Sequence, residues 1–379
     1  MDFLLSEERQ MLADTANRYV RNQYAIDTRH KHAANDEGFS RETWAALADL
    51  GLIGALLPAE VDGFGGLGED IAVIFEALGR GLVVEPFLAT GILGASPLVI
   101  AGSESQKALL ADVMAGKTLL AFAHGEPDGR YDIAHVATAA KPDGDGWVLT
   151  GSKAVVTNGD TADKLIVSAR ISGNIDDEAG LALFLVDATA PGLSRRGYAT
   201  IDGGRAAEIT LDGVKVSKAD AVGTAGEAFA VIEQTVTRGV IALCAEALGT
   251  MEVTRDLTLE YMKTRKQFGR TIGSFQVLQH RMVDLCLEIE QVRSAIILAA
   301  GNLEAARNER ERTASAAKNL VGRVSKQVAE ECIQMCGGIA MTWEYSLPHY
   351  AKRMTMIDHQ LGDMDYHLER FVAFSKDAV

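Results

Sequence analysis

Apolar residues recur at spacings of three and four from Ser6 to about residue 115, as in Leu12, Ala16 and Tyr19 and again in Trp44, Leu47 and Leu50. This period predicts amphipathic helices. The first has a legible start, with Ser6 as cap and Glu8 in the first turn, where a carboxylate meets the positive end of the helix dipole. Breaks are expected at Pro58, across Gly63 to Gly68 and at Pro86. Between about 118 and 222 the pattern changes to short alternating or β-branched runs (GWVLTG, KAVVTNG, KLIVSAR, LALFLVD, AAEITLDGVKV) separated by Asp-Gly, Asn-Gly and Pro-Gly turns. Beyond Gly226 the long helical period returns, with breaks near Gly269 to Gly273, near Asn308 and across Gly337 to Pro348. The expected architecture is α+β and multidomain: an N-terminal helical domain (1–117), a central β-barrel or sandwich (118–222) and a C-terminal helical bundle (223–379).

An α, β, α order without βαβ units argues against a doubly wound dinucleotide fold. Gly63, Gly65 and Gly68 satisfy GxGxxG and Glu85 follows at a suitable distance, but the glycines come after Pro58 and an acidic stretch and not off a strand. They are read as a surface loop.

Composition narrows the function classes. With 379 residues, 47% apolar and 23% charged, the chain has material for several packed units, and disorder is expected only at its ends. Its 37 basic and 52 acidic residues give a net charge of −15, which repels nucleic acid and anionic lipid. The acidic start MDFLLSEERQ lacks the plan of a signal peptide, and no apolar run is long enough to span a bilayer. Cys244, Cys286, Cys332 and Cys336 show no CxxC pairing and no accompanying histidine set. They read as reduced core residues of a cytoplasmic protein with no metal.

Three local features carry candidate chemistry. Glu246 is the only charged residue between Arg238 and Glu252, within GVIALCAEALGTM, so its helix is expected to be buried on most sides. A desolvated carboxylate suits abstraction of a weakly acidic proton beside a carbonyl, and the small Ala242, Ala245 and Gly249 leave room for a ligand. Pairing with Arg238 or Arg255 inside a helical bundle is the structural alternative. The segment TRKQFGRTIGSFQVLQH (Thr264 to His280) gathers Arg265, Phe268, Phe275 and Gln276 about a bend, a set that suits a pyrophosphate and an adenine, or simply turns a helical hairpin. QMCGGIAMTWEY (Gln334 to Tyr345) places paired glycines at a helix end, either as a cap or for close backbone approach by a ligand. Trp343, Tyr345, His349 and Tyr366 serve equally as packing groups or substrate contacts.

RKQFG, FQ after a short bend and the distant CGG, in that order, together with SEERQML, the loop near GFGG, KAVVTNGDTADKLIVSAR and FLVDATAPG, resemble the acyl-CoA dehydrogenase family over essentially the whole chain. The resemblance implies FAD lying between the β domain and the C-terminal helices, with its adenine half held by a neighbouring subunit. It assigns FAD contacts to Arg265, Gln267, Phe268, Ile272, Phe275, Gln276, Gln334, Gly337 and Gly338. FAHGEP, matching a flavin-facing strand, adds Phe122, His124 and Gly125, and the second flavin loop adds Val155, Val156 and Thr157. The family usually has Thr where Gly125 stands and an aromatic residue where Val155 stands. Its frequent Glu-Gly-Thr base is replaced by Gln360, Leu361, Gly362 and Asp363. Other members take the base from the helix before RKQFG, which makes Glu246 the expected base here, although the branched-chain base aligns nearer Gly239. The segments CAEALG, GGIAMTWEY, HYAKRMTMID and LGDMDYHL look closest to the small-subunit branch of pimeloyl-CoA dehydrogenases, which implies a homo- or hetero-oligomer with a possible large subunit.

The implied reaction is oxidation of an acyl-CoA to a trans-2-enoyl-CoA. Glu246 takes the α proton, flavin N5 the β hydride, and an electron-transfer flavoprotein the electrons. A non-catalytic partner subunit is the main alternative; desulfination or oxygen-dependent oxidation on the same fold is another.

Overall fold

The structure, a computed structural model, describes residues 5–376. Met1–Leu4 and Asp377–Val379, on which the expectation of disordered ends and part of the leader argument fall, lie outside the described residues. Helix α1 (Glu7–Gln23) begins where Ser6 accepts from the Arg9 N–H, with Glu7 and Glu8 in the first turn. Then come α2 (Ile26–Ala33), α3 (Arg41–Asp49) and α4 (Gly68–Gly81). The break at Pro86 is present, with residues 82–86 irregular after α4, and Phe87–Gly94 then coils as a π-helical segment, every residue of it buried. Short helices α5 (Ala95–Ala101), α6 (Glu104–Lys107) and α7 (Leu110–Met114) complete this third.

GxGxxG indeed follows no strand. It runs from a 3-10 turn, Ala59–Val61, into α4, and it is only partly a surface loop, because Gly66 and Gly68 are buried. A Cβ at Gly63 would lie 2.1 Å from the Leu57 carbonyl, so this glycine permits a close fold-back of the chain. Glu85 is buried beside His32, 3.0 Å from its Nδ1, and accepts from the Ser40 N–H, so it is committed internally.

Eight strands form the central sheet: β1 (Leu120–Ala123), β2 (Ala139–Asp143), β3 (Gly146–Thr157), β4 (Lys164–Arg170), β5 (Leu181–Asp187), β6 (Leu193–Ala199), β7 (Arg205–Ser217) and β8 (Ala221–Gly226). Their order is β6-β7-β3-β2-β4-β5-β8, with β1 parallel to β4. GWVLTG and KAVVTNG, read as two runs, are one continuous strand whose register with β7 shifts between Lys153 and Val156. The apolar run LIVSA of β4 is buried on both faces, whereas β6 is largely exposed. Leu149, Val156, Leu165, Phe184, Ile209 and Leu211 centre the core of the sheet.

The remainder is helical: α8 (Phe229–Thr264), α9 (Gln276–Gly301), α10 (Arg307–Cys336), α11 (Leu347–His359) and α12 (Met364–Lys376), with the small ladder β9 (Lys266–Gln267) and β10 (Arg270–Thr271) between α8 and α9. By contact density the chain forms two compact units. One contains the chain up to His30, Leu67–Val83 and the chain from Val240; the other contains Lys31–Gly66 and Val84–Gly239. Among the described residues no helix is long and apolar enough to cross a membrane, and no group of three or more His, Cys, Asp or Glu is placed to hold a metal. All four cysteines are free; three are buried, and burial pushes the Cys332 thiol up to about 12.

Candidate active site

In the first unit, every residue of α8 from Val240 to Met251 is buried, where the lack of polar residues led one to expect burial on most sides. Glu246, 6% exposed, does not stand alone in this apolar stretch. Arg353 of α11 donates Nε to its Oε1 at 2.5 Å and Nη2 to its Oε2 at 2.6 Å, a bidentate pair. Neither arginine expected from the sequence fills this role. Arg238 donates to the Gly66 carbonyl at 2.7 Å, and Arg255 pairs with its neighbour Asp256 at 2.8 Å. A buried carboxylate demands a cation, but sequence distance gave no reason to seek that cation in HYAKRMTMID.

Arg353 reaches further. Its Nη1 donates to the Gln360 Oε1 at 2.9 Å, in the turn that ends α11. That turn is tightly specified. Leu361 and Gly362 both have positive φ, 56° and 104°, and the buried Lys318 Nζ donates to the carbonyls of Asp358 (2.9 Å) and Gly362 (2.6 Å). The His367 Nε2–H donates to the Leu361 carbonyl at 2.9 Å. Asp363 accepts from the Tyr366 N–H and so begins α12. Lys318 and Arg353 are the neighbours of the turn and of Glu246 that sequence reasoning missed; the small Gly249 serves packing, since a Cβ there would meet the Glu76 carbonyl of α4 at 2.0 Å.

A second group lies in the other unit. Phe122 and His124 stack at 5.2 Å on β1 and just beyond its end. Lys153, fully buried, donates its three hydrogens to the His124 carbonyl (3.2 Å), Glu126 Oε1 (2.7 Å) and Ser168 Oγ (3.0 Å). Ser168 Oγ, an acceptor from Lys153, also lies in hydrogen-bond contact with His124 Nδ1 at 2.9 Å. Burial, and then the nearby Lys153 charge, push His124 down to about 3. Burial also lowers Lys153 to about 8 against the opposing pull of Glu126. For Glu126, burial acts upward but is outweighed by Lys153 and the Thr138 N–H, leaving it below the usual carboxylate range.

This network fixes the strand-end loop. The Gly125 carbonyl accepts from the Ala154 N–H at 2.8 Å, which ties it to the bulge of β3. Val155, in that bulge, has φ 52° and is 60% exposed, a strained conformation for a β-branched residue. Of the remaining residues expected here, Val156 points into the sheet core, Thr157 is half-buried and Gly125 is exposed. His124 offers no free ring nitrogen toward its Ser168 side.

The third group lies at one end of the α9–α10 hairpin, in the first unit. Phe268 and Gly269, with φ 54° and 79°, form the turn between β9 and β10; Phe268 is 90% exposed and meets the edge of Phe275. The Arg270 guanidinium lies 4.0 Å from the Phe275 ring centre, and the Ile272 N–H donates to the Arg265 carbonyl. Arg265, Gln267 and Gln276 are exposed. Near the same end Arg281 of α9 pairs with Glu331 of α10 at 2.5 Å, one helical turn before the exposed Gln334, Gly337 and Gly338. A Cβ on either glycine would meet nothing within 4 Å. Cations, an aromatic face, amides and bare backbone are thus presented together, a donor set that fits a dinucleotide diphosphate and its base.

Three family models match the chain: acyl-CoA dehydrogenase N-terminal domain over residues 6–117, middle domain over 121–214 and C-terminal domain over 226–373. The chain is 29% identical over 378 residues to a probable acyl-CoA dehydrogenase, YngJ, of Bacillus subtilis, with 98% of each chain covered. A variant of the steroid ACAD Tcur3481-Tcur3483 matches in structure with TM-score 0.88 and 30% identity, covering 98% of each chain. A chain of the ChsE4-ChsE5 complex from Mycobacterium tuberculosis matches with TM-score 0.89 and 26% identity, covering 100% of this chain and 99% of the other.

Proposed function

The chain belongs to the acyl-CoA dehydrogenase family, whose members are FAD-dependent oxidoreductases, and from that premise we propose that it oxidises an acyl-CoA thioester to the trans-2-enoyl-CoA with Glu246 as the base. FAD, when bound, supplies the acceptor for the β hydride. Arg265, Gln267, Phe268, Ile272, Phe275, Gln276, Gln334, Gly337 and Gly338 would hold its diphosphate and adenine, contributed to a site completed by a neighbouring copy or a related subunit. Phe122, His124, Gly125, Val155, Val156 and Thr157 would border the ring, Val156 and His124 through their backbone. Glu246 takes the α proton as the α C–H bond breaks. Electrons leave to an electron-transfer flavoprotein.

The observation that carries this reading is Glu246 itself: a carboxylate within a fully buried stretch of α8, gripped by a bidentate arginine and adjoining, through that arginine, the turn at Gln360. General-base efficiency depends first on such geometry. The test is anaerobic reduction of the flavin by a panel of butyryl-, isovaleryl-, glutaryl- and steroid-side-chain CoA esters. Glu246→Gln should keep its flavin and bind the ester yet lose bleaching, and unchanged bleaching would remove Glu246 from the reaction.

One observation favours a second reading, a partner subunit without its own turnover: both oxygens of Glu246 are engaged by Arg353. The structurally similar ChsE4-ChsE5 assembly consists of two different named chains. A chain that is colourless alone and bleaches only after mixing with a larger paired subunit would establish this alternative.

A further inference from the structure

Arg353 connects two places that the sequence pattern treats as alternatives. One is α8, where Glu246 sits; the other is the turn 360–363, which has Gln and Leu in place of a carboxylate. We infer that Arg353 is the positioning residue of this active site, aiming the Glu246 carboxylate through a two-point grip and fixing that grip to the turn through Gln360. The inference rests on the reading of Glu246 as base.

The geometry supports aim as well as charge balance. Two parallel N–H donors on two oxygens fix the plane of a carboxylate, which a single donor cannot do. The third donor, Nη1 to Gln360, stops the guanidinium from rotating about its own side chain. The backbone on either side of Gln360 is held in turn, by Lys318 at Asp358 and Gly362 and by His367 at Leu361. Hydrogen bonds from α10 and α12 to the turn, the turn's own backbone, and the Gln360–Arg353–Glu246 contacts thus connect the interior of α10 to the carboxylate. Lysine in place of Arg353 would keep the positive charge and so the electrostatic balance, but it is a point donor and cannot grip two oxygens in one plane.

Arg353→Lys therefore separates aim from charge. The measurement is single-turnover bleaching of the flavin in the full chain, with the CoA ester from the panel that bleaches wild type fastest, alongside flavin content and thermal midpoint. Arg353→Lys is expected to keep flavin content and the KM for the ester while the bleaching rate falls by about 10²-fold, the scale of an ångström-level misplacement. Gln360→Leu, which frees Arg353 without burying a lone charge, should show a smaller fall in rate at unchanged KM. In Arg353→Ala, added guanidinium ion at non-denaturing concentration should restore rate where ammonium does not. Normal bleaching in Arg353→Lys beside an inert Glu246→Gln overturns this inference alone. Normal bleaching in Glu246→Gln, or a wild-type chain that never bleaches, overturns the base reading and this inference together.

Discussion

Lys318 Nζ lies 2.6 Å from the carbonyl oxygen of Gly362, bringing a fully buried ammonium against the backbone of the turn that follows α11, with Asp358 and Asp363 near enough to favour its charge. Its acceptors there are backbone carbonyls, and burial holds its pKa below the ordinary lysine value. Lys318→Met removes the charge but leaves the Asp358 and Gly362 carbonyls unpaired. The expected loss is about 1–3 kcal/mol for each buried acceptor left unsatisfied. Urea denaturation checks the stability, and a midpoint equal to wild type would mean that the turn holds itself.

Acid should unfold this protein through two histidines. His124 and His367 are each pushed to about 3, both chiefly by burial and then by a neighbouring lysine, Lys153 or Lys318. Between pH 6.5 and 3 the unfolded chain binds protons at these positions and the folded chain does not. Their contribution is therefore complete above pH 6.5 and is lost as pH falls, by about 1.4 kcal/mol per pH unit for each histidine. His367→Gln should flatten the decline in unfolding free energy between pH 6 and pH 4 by that amount; an unchanged slope would place the acid sensitivity elsewhere.

Lys153 and Glu126 form a buried ion pair, 0% and 4% exposed at their side chains. Removing one member leaves a buried charge, so Lys153→Met or Glu126→Leu should each cost about 3–5 kcal/mol, while the double variant should recover much of the loss. Chemical denaturation of the three variants checks this, and additive losses would show that the pair is not coupled.

Much of the fold was legible because its signals are local. Ser6 caps α1, the KLIVSAR run marks the strand β4, and the apolar run about Glu246 points to burial of that part of α8 on most sides, which the structure carries through to every residue from 239 to 251. The π form of Phe87–Gly94, just after the break at Pro86, was not legible, since an apolar helical run in sequence does not distinguish π from α winding. The partner of Glu246 was hidden for a different reason. Arg238 and Arg255 are near in sequence, but one serves a backbone carbonyl and the other its own neighbour, whereas α11 brings Arg353 in from far along the chain. Likewise the motif KAVVTNG does not show that Val156 points inward while Val155 is pushed out by the bulge.

Gly79→Ala should be costly despite its small size. A Cβ at Gly79 would fall 2.1 Å from the Glu246 carbonyl oxygen, and one at Gly249 would fall 2.0 Å from that of Glu76. Each added methyl must push α4 and α8 apart, at about 1–3 kcal/mol. The bleaching rate should fall with the stability, because the displaced backbone is that of Glu246; a destabilised variant with the wild-type rate would separate packing from chemistry.

The same two glycines make α4 a lever. Where side chains lie between two helices, a small displacement of one is absorbed by rotation of those side chains. At Gly79 and Gly249 there is nothing to rotate, so α4 and α8 meet backbone to backbone and motion passes between them without slack. Arg9 grips the opposite end of α4 through Asp70 at 2.7 Å. The helix that half-buried Arg9 holds at one end is thus the helix that meets the backbone of Glu246 at the other.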